Sequence, residues 1–158
     1  MLIEADLLAE RIRGLSSEDG HGIEHLHEIR ERFGDQVAEI VIGCSDSMQP
    51  GGQPKASWAT RKQAYVTGLS ENVHAQSVLV VSCADKLHNA RSILADLRDA
   101  GLPSLGRFNA TPLELLWYYE SLAEIFERRL PGRRNQRLLR ETVTELRALI
   151  EAGERVPA

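Results

Sequence analysis

The chain of 158 residues has only two cysteines, Cys44 and Cys83, and no surplus of positive charge. It has no internal repeat and no long apolar run. Each shortage closes a class of function. Two cysteines in apolar contexts point to reduced core thiols in the cytoplasm, not to a disulfide framework. Crossing a bilayer as a helix takes about 20 consecutive apolar residues, and no stretch approaches that. The start, Met1-Leu2-Ile3-Glu4-Ala5-Asp6, has acids where a secretion signal has bases. A net charge of −4 gives no general attraction to nucleic acid or to an anionic membrane. The hydrophobic fraction of 42% and charged fraction of 27% are those of an ordinary soluble protein, long enough to bury a real core. The expectation is one soluble cytoplasmic domain spanning residues 1–158.

What is present is helical punctuation. Leu2 to about Arg13 reads as a short amphipathic helix stopped at Gly14, followed by a polar turn from Ser16 to Gly22. Ile23–Arg32 and Asp35–Gly43 read as two helices hinged at Phe33-Gly34; in the second, Val37, Ile40, Val41 and Cys44 recur at helical spacing. Pro50-Gly51-Gly52-Gln53-Pro54 marks a loop between Cys44 and Ala56. Trp58 to about Leu69 is a helix, and Ser70 is placed to cap the next, which passes through Val78–Val81 and ends at Gly101-Leu102-Pro103. Val78-Leu79-Val80-Val81 suits a strand by local propensity, but it continues at helical period. Thr111-Pro112-Leu113-Glu114 is the clearest start signal: a cap, a proline at the first helical position and a capping-box acid. That helix runs to about Leu130 and is expected to turn Leu113, Leu116, Trp117 and Phe126 inward. A last helix, about 134–152, aligns Leu139, Val143, Leu146 and Ile150. The fold class is all-α.

The chemistry concentrates in Ala84-Asp85-Lys86-Leu87-His88-Asn89. At about 100° per residue, Asp85, His88, Asn89, Ser92 and Asp96 share one helix face, and Cys83, Leu87, Ala90, Leu94 and Leu97 the other. Asp85 is a hard anionic ligand suited to a divalent metal; His88 could ligate or move a proton; Asn89 both donates and accepts, as nucleotide reading requires. A polar helix face hydrogen-bonded within itself accounts for the same spacing. Glu18-Asp19 with His21, Glu24, His25, His27 and Glu28 forms a second group, in which His21 and His25 have the spacing of a helical ligand pair. Gly20 and Gly22 argue against a helix there, which favours solvated side chains. Arg128, Arg129, Arg133, Arg134, Arg137 and Arg140 form a third group, without interleaved aromatics, that reads as a solvated face or a subunit contact.

Several segments, in order over about residues 16–130, carry a resemblance. They are Ile29–Ala38, Gly43-Cys44-Ser45-Asp46, Trp58 with Arg61-Lys62 and Tyr65, Ala84–Arg91, Arg107-Phe108-Asn109 and Leu116-Trp117-Tyr118-Tyr119. Together they resemble the HD-domain metal-dependent phosphohydrolases, in particular the RelA/SpoT-type guanosine polyphosphate (ppGpp) 3′-pyrophosphohydrolases. That resemblance implies an HD-domain-like helical bundle around one manganese-type ion. It implies Asp85 as a metal ligand, Asn89 as a nucleotide contact with Ser92 beside it, and Glu18 and Asp19 as the acids that assist the attacking water.

The same alignment sets Gly14-Leu15 where the family carries its His-Asp pair, and the upstream family helix has no counterpart before Met1. Neither glycine nor leucine can bind metal, so the expected metal site is incomplete. A degenerate or N-terminally truncated homologue is therefore expected, with weak or no catalysis. It would bind guanosine polyphosphate or another nucleotide, with neither a membrane nor a nucleic acid as partner, and could form a homo-oligomer. The alternative is an active hydrolase whose metal shell is rebuilt from His21, His25 or His27 with Asp85.

Overall fold

A computed structural model describes residues 22–45, 56–71 and 74–155, with the backbone alone at 22–25. Every regular element among the described residues is helical. The chain divides into two compact units, Met1–Ala56 and Ser57–Ala158.

The first unit contributes α1 (Gly22–Phe33) and α2 (Asp35–Cys44). The corner between them is Gly34, whose φ of 84° is in the left-handed region that a side chain disfavours. Arg30 Nε lies 2.9 Å from Asp35 Oδ1 across this corner. Ile29, Ala38 and Val41 are buried together, with Leu26 and Val37 packed against them. The expected hinge at Phe33-Gly34 is where it stands. The proposed helix over Leu2–Arg13, the polar turn after it and most of the Pro/Gly loop lie outside the described residues.

The second unit holds α3 (Trp58–Ser70), α4 (Gln76–Ala100), a 3₁₀ helix (Leu102–Arg107), α5 (Pro112–Arg129) and α6 (Arg134–Glu154). The long α4 packs along α6, α5 packs on α6 and α4, and α3 packs on α5. The core formed there includes Leu69, Leu79, Cys83, Leu122, Phe126, Leu139 and Leu146. The α6 stripe of Leu139, Val143, Leu146 and Ile150 is buried throughout, as its spacing requires. The ambiguous Val78–Val81 segment is helix, within a 25-residue element whose apolar stripe continues to Leu97. Neither Cys44 nor Cys83 is in a disulfide.

The helix ends show which local signals prevailed. Thr111 and Glu114 form the capping box in full: Thr111 Oγ1 accepts from Glu114 N at 3.2 Å, and Glu114 Oε2 accepts from Thr111 N at 2.7 Å. The bond from Thr111 N, and a second in which Thr111 Oγ1 donates to Glu114 Oε2 at 2.9 Å, favour the ionised carboxylate and hold the Glu114 pKa below its ordinary value. Ser57 caps α3 through a 3.2 Å bond from Thr60 N. Ser70, by contrast, does not cap α4. Its hydroxyl donates back to Thr67 O at 3.1 Å, closing α3, while α4 starts at Ala75 with no side-chain cap. At the far end, Gly101 (φ 66°) ends α4 and leads into the 3₁₀ helix, a turn the Gly-Leu-Pro signal marked only as a stop.

Leu113 also departs from expectation: it is 58% exposed. The buried stripe of α5 follows Leu115, Leu116, Tyr119, Leu122 and Phe126, whereas Leu113 lies about 160° around the axis from Leu115. Phe126→Ala is therefore expected to cost about 3–5 kcal/mol, and Leu113→Ala less than about 0.5 kcal/mol. Urea unfolding followed by the fluorescence of Trp58 and Trp117, both in this unit, checks the pair; equal losses would contradict this packing.

Candidate functional site

The site is built on α4. Its buried stripe reads Leu79, Ser82, Cys83, Lys86, Leu87, Ala90, Ile93, Leu94 and Leu97. A lysine sits in the middle of it. The Lys86 side chain is 10% exposed and that of the adjacent Asp85 26%. A buried ammonium is costly unless charge or aromatic faces compensate for the lost water. Lys86 has both: its Nζ donates to Asp85 Oδ2 at 2.7 Å and lies 5.0 Å from the centre of the Tyr65 ring.

Neighbouring residues extend this arrangement. Asn89, one turn on from Asp85, donates through Nδ2 to the same Oδ2 at 3.3 Å. The Tyr65 hydroxyl is 2.6 Å from Ser82 Oγ, tying α3 to α4. Tyr118 stacks edge-on against Trp58 (5.9 Å) and Tyr119 (5.3 Å) and lies 6.5 Å from Tyr65. Lys62 Nζ lies 4.8 Å from the Tyr118 ring centre. Arg129 fixes the end of α3 by donating to Leu69 O at 2.6 Å, so one member of the arginine group is structural.

Beside this cluster opens a cavity of about 300 Å³. Trp58, Phe108, Tyr118 and Tyr119 supply its aromatic surface, Lys62 and Arg107 its cations, and Asn89 and Ser92 its neutral polar groups. Arg107 stacks on Phe108 at 4.9 Å and is paired with Asp96. Ser92 Oγ donates to His88 O at 3.2 Å, and the residue is exposed.

The electrostatics follow from burial. Desolvation alone would push the Lys86 pKa down. Tyr118 and Tyr65 in their ionised forms, and Asp85 by its charge and hydrogen bond, outweigh it and raise the pKa well above its ordinary value. At neutral pH the tyrosines are uncharged, so the counter-charge is Asp85. Burial raises the Tyr119 phenol to about 12 and the Cys83 thiol to about 11. The solitary buried thiol is therefore a poor nucleophile.

Asp85, Asn89 and Ser92 share one side of α4, as their spacing requires, and the last two line the cavity. Glu18, Asp19 and His21 lie outside the described residues, as does the His25 side chain. His27 is exposed and pairs with Glu31 at 3.3 Å, one turn along its own helix. Sequence reasoning did not single out Lys86. Its signal was available: it sits four residues after Ser82 and four before Ala90, within a stripe that is otherwise small or apolar. Lys62, Arg107, Phe108 and Tyr118 lie in segments that carry the resemblance, but their convergence needs the helices to pack.

The described residues do not fit a metal ion. No three His, Cys, Asp or Glu side chains among them come together to hold one. The candidate carboxylate, Asp85, already accepts from an ammonium. No described helix is long and apolar enough to cross a membrane.

Two outcomes test this geometry. Asp85→Ala strands a buried ammonium and is expected to cost on the order of 3 kcal/mol. Lys86→Met leaves a carboxylate that water can reach and is expected to cost distinctly less; the reverse order in urea unfolding would refute the pairing. Above about pH 9 the unfolded chain releases the Cys83 proton, then that of Tyr119, while the folded state keeps both to about 11 and 12. Lys86 likewise holds its proton beyond 10.5 only when folded. All three groups bind more protons in the folded state, so stability must fall as pH rises through this range. Alkaline unfolding followed by circular dichroism reads the fall, and the Cys83 thiol is expected to stay unreactive to a disulfide reagent at pH 8 until the protein is denatured.

Residues 4–104 match the family model of the HD domain. No curated protein matches the chain significantly. The chain belongs to the HD domain family, and that membership points to a metal-dependent phosphohydrolase-like function.

Proposed function

We propose that this HD-domain chain is a phosphohydrolase-like nucleotide-binding module, holding guanosine polyphosphate or a related nucleotide in the cavity beside α4, with weak or no turnover of its own. The observation that carries this reading is the combination of surfaces in one cavity of about 300 Å³. Trp58 and Phe108 offer aromatic faces, on which a base stacks for about 1–3 kcal/mol. Lys62 and Arg107 offer cations for phosphate oxygens. Asn89 retains one N–H and its carbonyl after bonding Asp85, the donor–acceptor pair that a base edge or ribose takes up. The volume admits a base and sugar, with the phosphates reaching outward to the cations.

In this reading Asn89 and Ser92 contact substrate. The family resemblance implies manganese binding for Asp85, and positioning of the attacking water for Glu18 and Asp19, in a complete member. A bound divalent ion would supply an acidified water for attack on a pyrophosphate. The described residues of this chain do not fit such an ion. Its own groups orient the nucleotide and neutralise its phosphates. The pseudoenzyme reading and the guanosine polyphosphate class both rest on resemblance joined to this cavity.

Calorimetric titration with GDP, GTP, ppGpp and the adenosine equivalents tests it. Saturable guanine-nucleotide binding is expected. Asn89→Ala should weaken it about tenfold, equivalent to one lost hydrogen bond of about 1.4 kcal/mol. Lys62→Ala should weaken it uniformly across bases and flatten its salt dependence. Absence of saturable binding would sink the proposal. Rapid pyrophosphate release from ppGpp, lost in Asp85→Ala, would overturn its pseudoenzyme part in favour of an active hydrolase.

A further inference from the structure

The expected metal ligand and the observed cation meet at one atom. Asp85 Oδ2 accepts from Lys86 Nζ at 2.7 Å and from Asn89 Nδ2 at 3.3 Å. The ammonium is not a surface charge that swings aside freely. Its side chain is buried in the α4 stripe and its head lies over the Tyr65 ring, which is held in turn by Ser82. A divalent ion on that oxygen would stand beside a desolvated positive charge, with no third carboxylate, imidazole or thiolate among the described residues to offset the repulsion.

We propose that Lys86 is the resident cation of this site: its ammonium holds Asp85 in place of a divalent metal ion, and ligand binding in the adjoining cavity is metal-independent. Asp85 is then a positioning residue. It neutralises Lys86 from one side and holds the Asn89 amide from the other, so that the remaining N–H and carbonyl of Asn89 are set for the ligand. The carboxylate cannot donate, which fixes the amide with its nitrogen toward Asp85. The ligand part of this inference rests on the nucleotide reading above; the metal part does not.

Two measurements on the full chain decide it. The first is a manganese titration read by electron paramagnetic resonance, without nucleotide. No stoichiometric ion is expected in the wild-type protein. One bound ion per chain, lost in Asp85→Ala, would overturn the proposal. The second is calorimetric titration with GDP in EDTA and again in excess manganese. The two dissociation constants are expected to agree within about threefold, which is less than 1 kcal/mol. GDP binding that requires the metal would overturn the proposal while leaving the nucleotide reading intact.

Lys86→Met is expected to weaken GDP about tenfold in both buffers, with no rescue by manganese, and Lys86→Arg to retain most of the affinity because it keeps the charge. Restoration of tight binding to Lys86→Met by manganese alone would show that the metal is the natural cation. Should Lys86→Met fail to fold, the Lys86→Arg variant and the manganese titration still decide. Absence of GDP binding in both buffers would sink the nucleotide reading, and the manganese titration would then settle the identity of the cation by itself.

Discussion

A buried ammonium must have a counter-charge, and in this protein that requirement organises the second unit. Lys86 lies in the apolar stripe of α4 because its neighbours at helical spacing are core residues, and the stripe leaves its side chain only 10% exposed. Its charge is met by Asp85, the next residue, and by the ring of Tyr65 from α3. Tyr65 is in turn placed by Ser82, and Tyr118 of α5 completes the aromatic surround. One charge thus ties three helices by contacts that a purely apolar core would not specify. Specificity rather than raw stability is the natural role for such a pair.

The cavity follows from that arrangement. Once Tyr118 is turned toward Tyr65 and Trp58, its ring also borders the space above Asn89 and Ser92. Arg107 and Phe108 close another side from the end of the 3₁₀ helix, whose start is set by Gly101 turning the chain out of α4. Aromatic faces and cations therefore gather around one amide without any helix leaving its regular path. Aromatic stacking and phosphate neutralisation are what the proposed nucleotide reading draws on, in a member of the HD domain family.

Much of the helical order was legible along the chain because helix signals are local. Thr111 and Glu114 announced their capping box and formed it, and the α6 leucines kept their spacing and were buried. Ser70 was misleading because a hydroxyl near a helix end can serve either neighbour; here its bond to Thr67 O closes the helix it follows. Leu113 was misleading because its spacing from Leu116 and Trp117 looked apolar on one face, yet the packing partners of α5 lie on the side of Leu115 and Leu122. At the site, Asp85, Asn89 and Ser92 were legible as one helix face. Lys86 was overlooked because a lysine is ordinarily solvated, and only the burial of its entire stripe reverses that expectation.

The sequence by itself determined the helical class, most of the helix bounds and the two faces of α4, because caps, breakers and helical period act within a few residues of one another. It also determined that Asp85 and Asn89 would be neighbours, since one turn of helix separates them. Only the tertiary structure decided what meets those residues. Tyr65 and Lys62 come from α3, Tyr118 from α5 and Arg107 from the 3₁₀ helix, at separations along the chain that no local rule connects. The partner of the Asp85 carboxylate was decided in the same way: packing removed water from Lys86, and a cation without water takes the nearest anion.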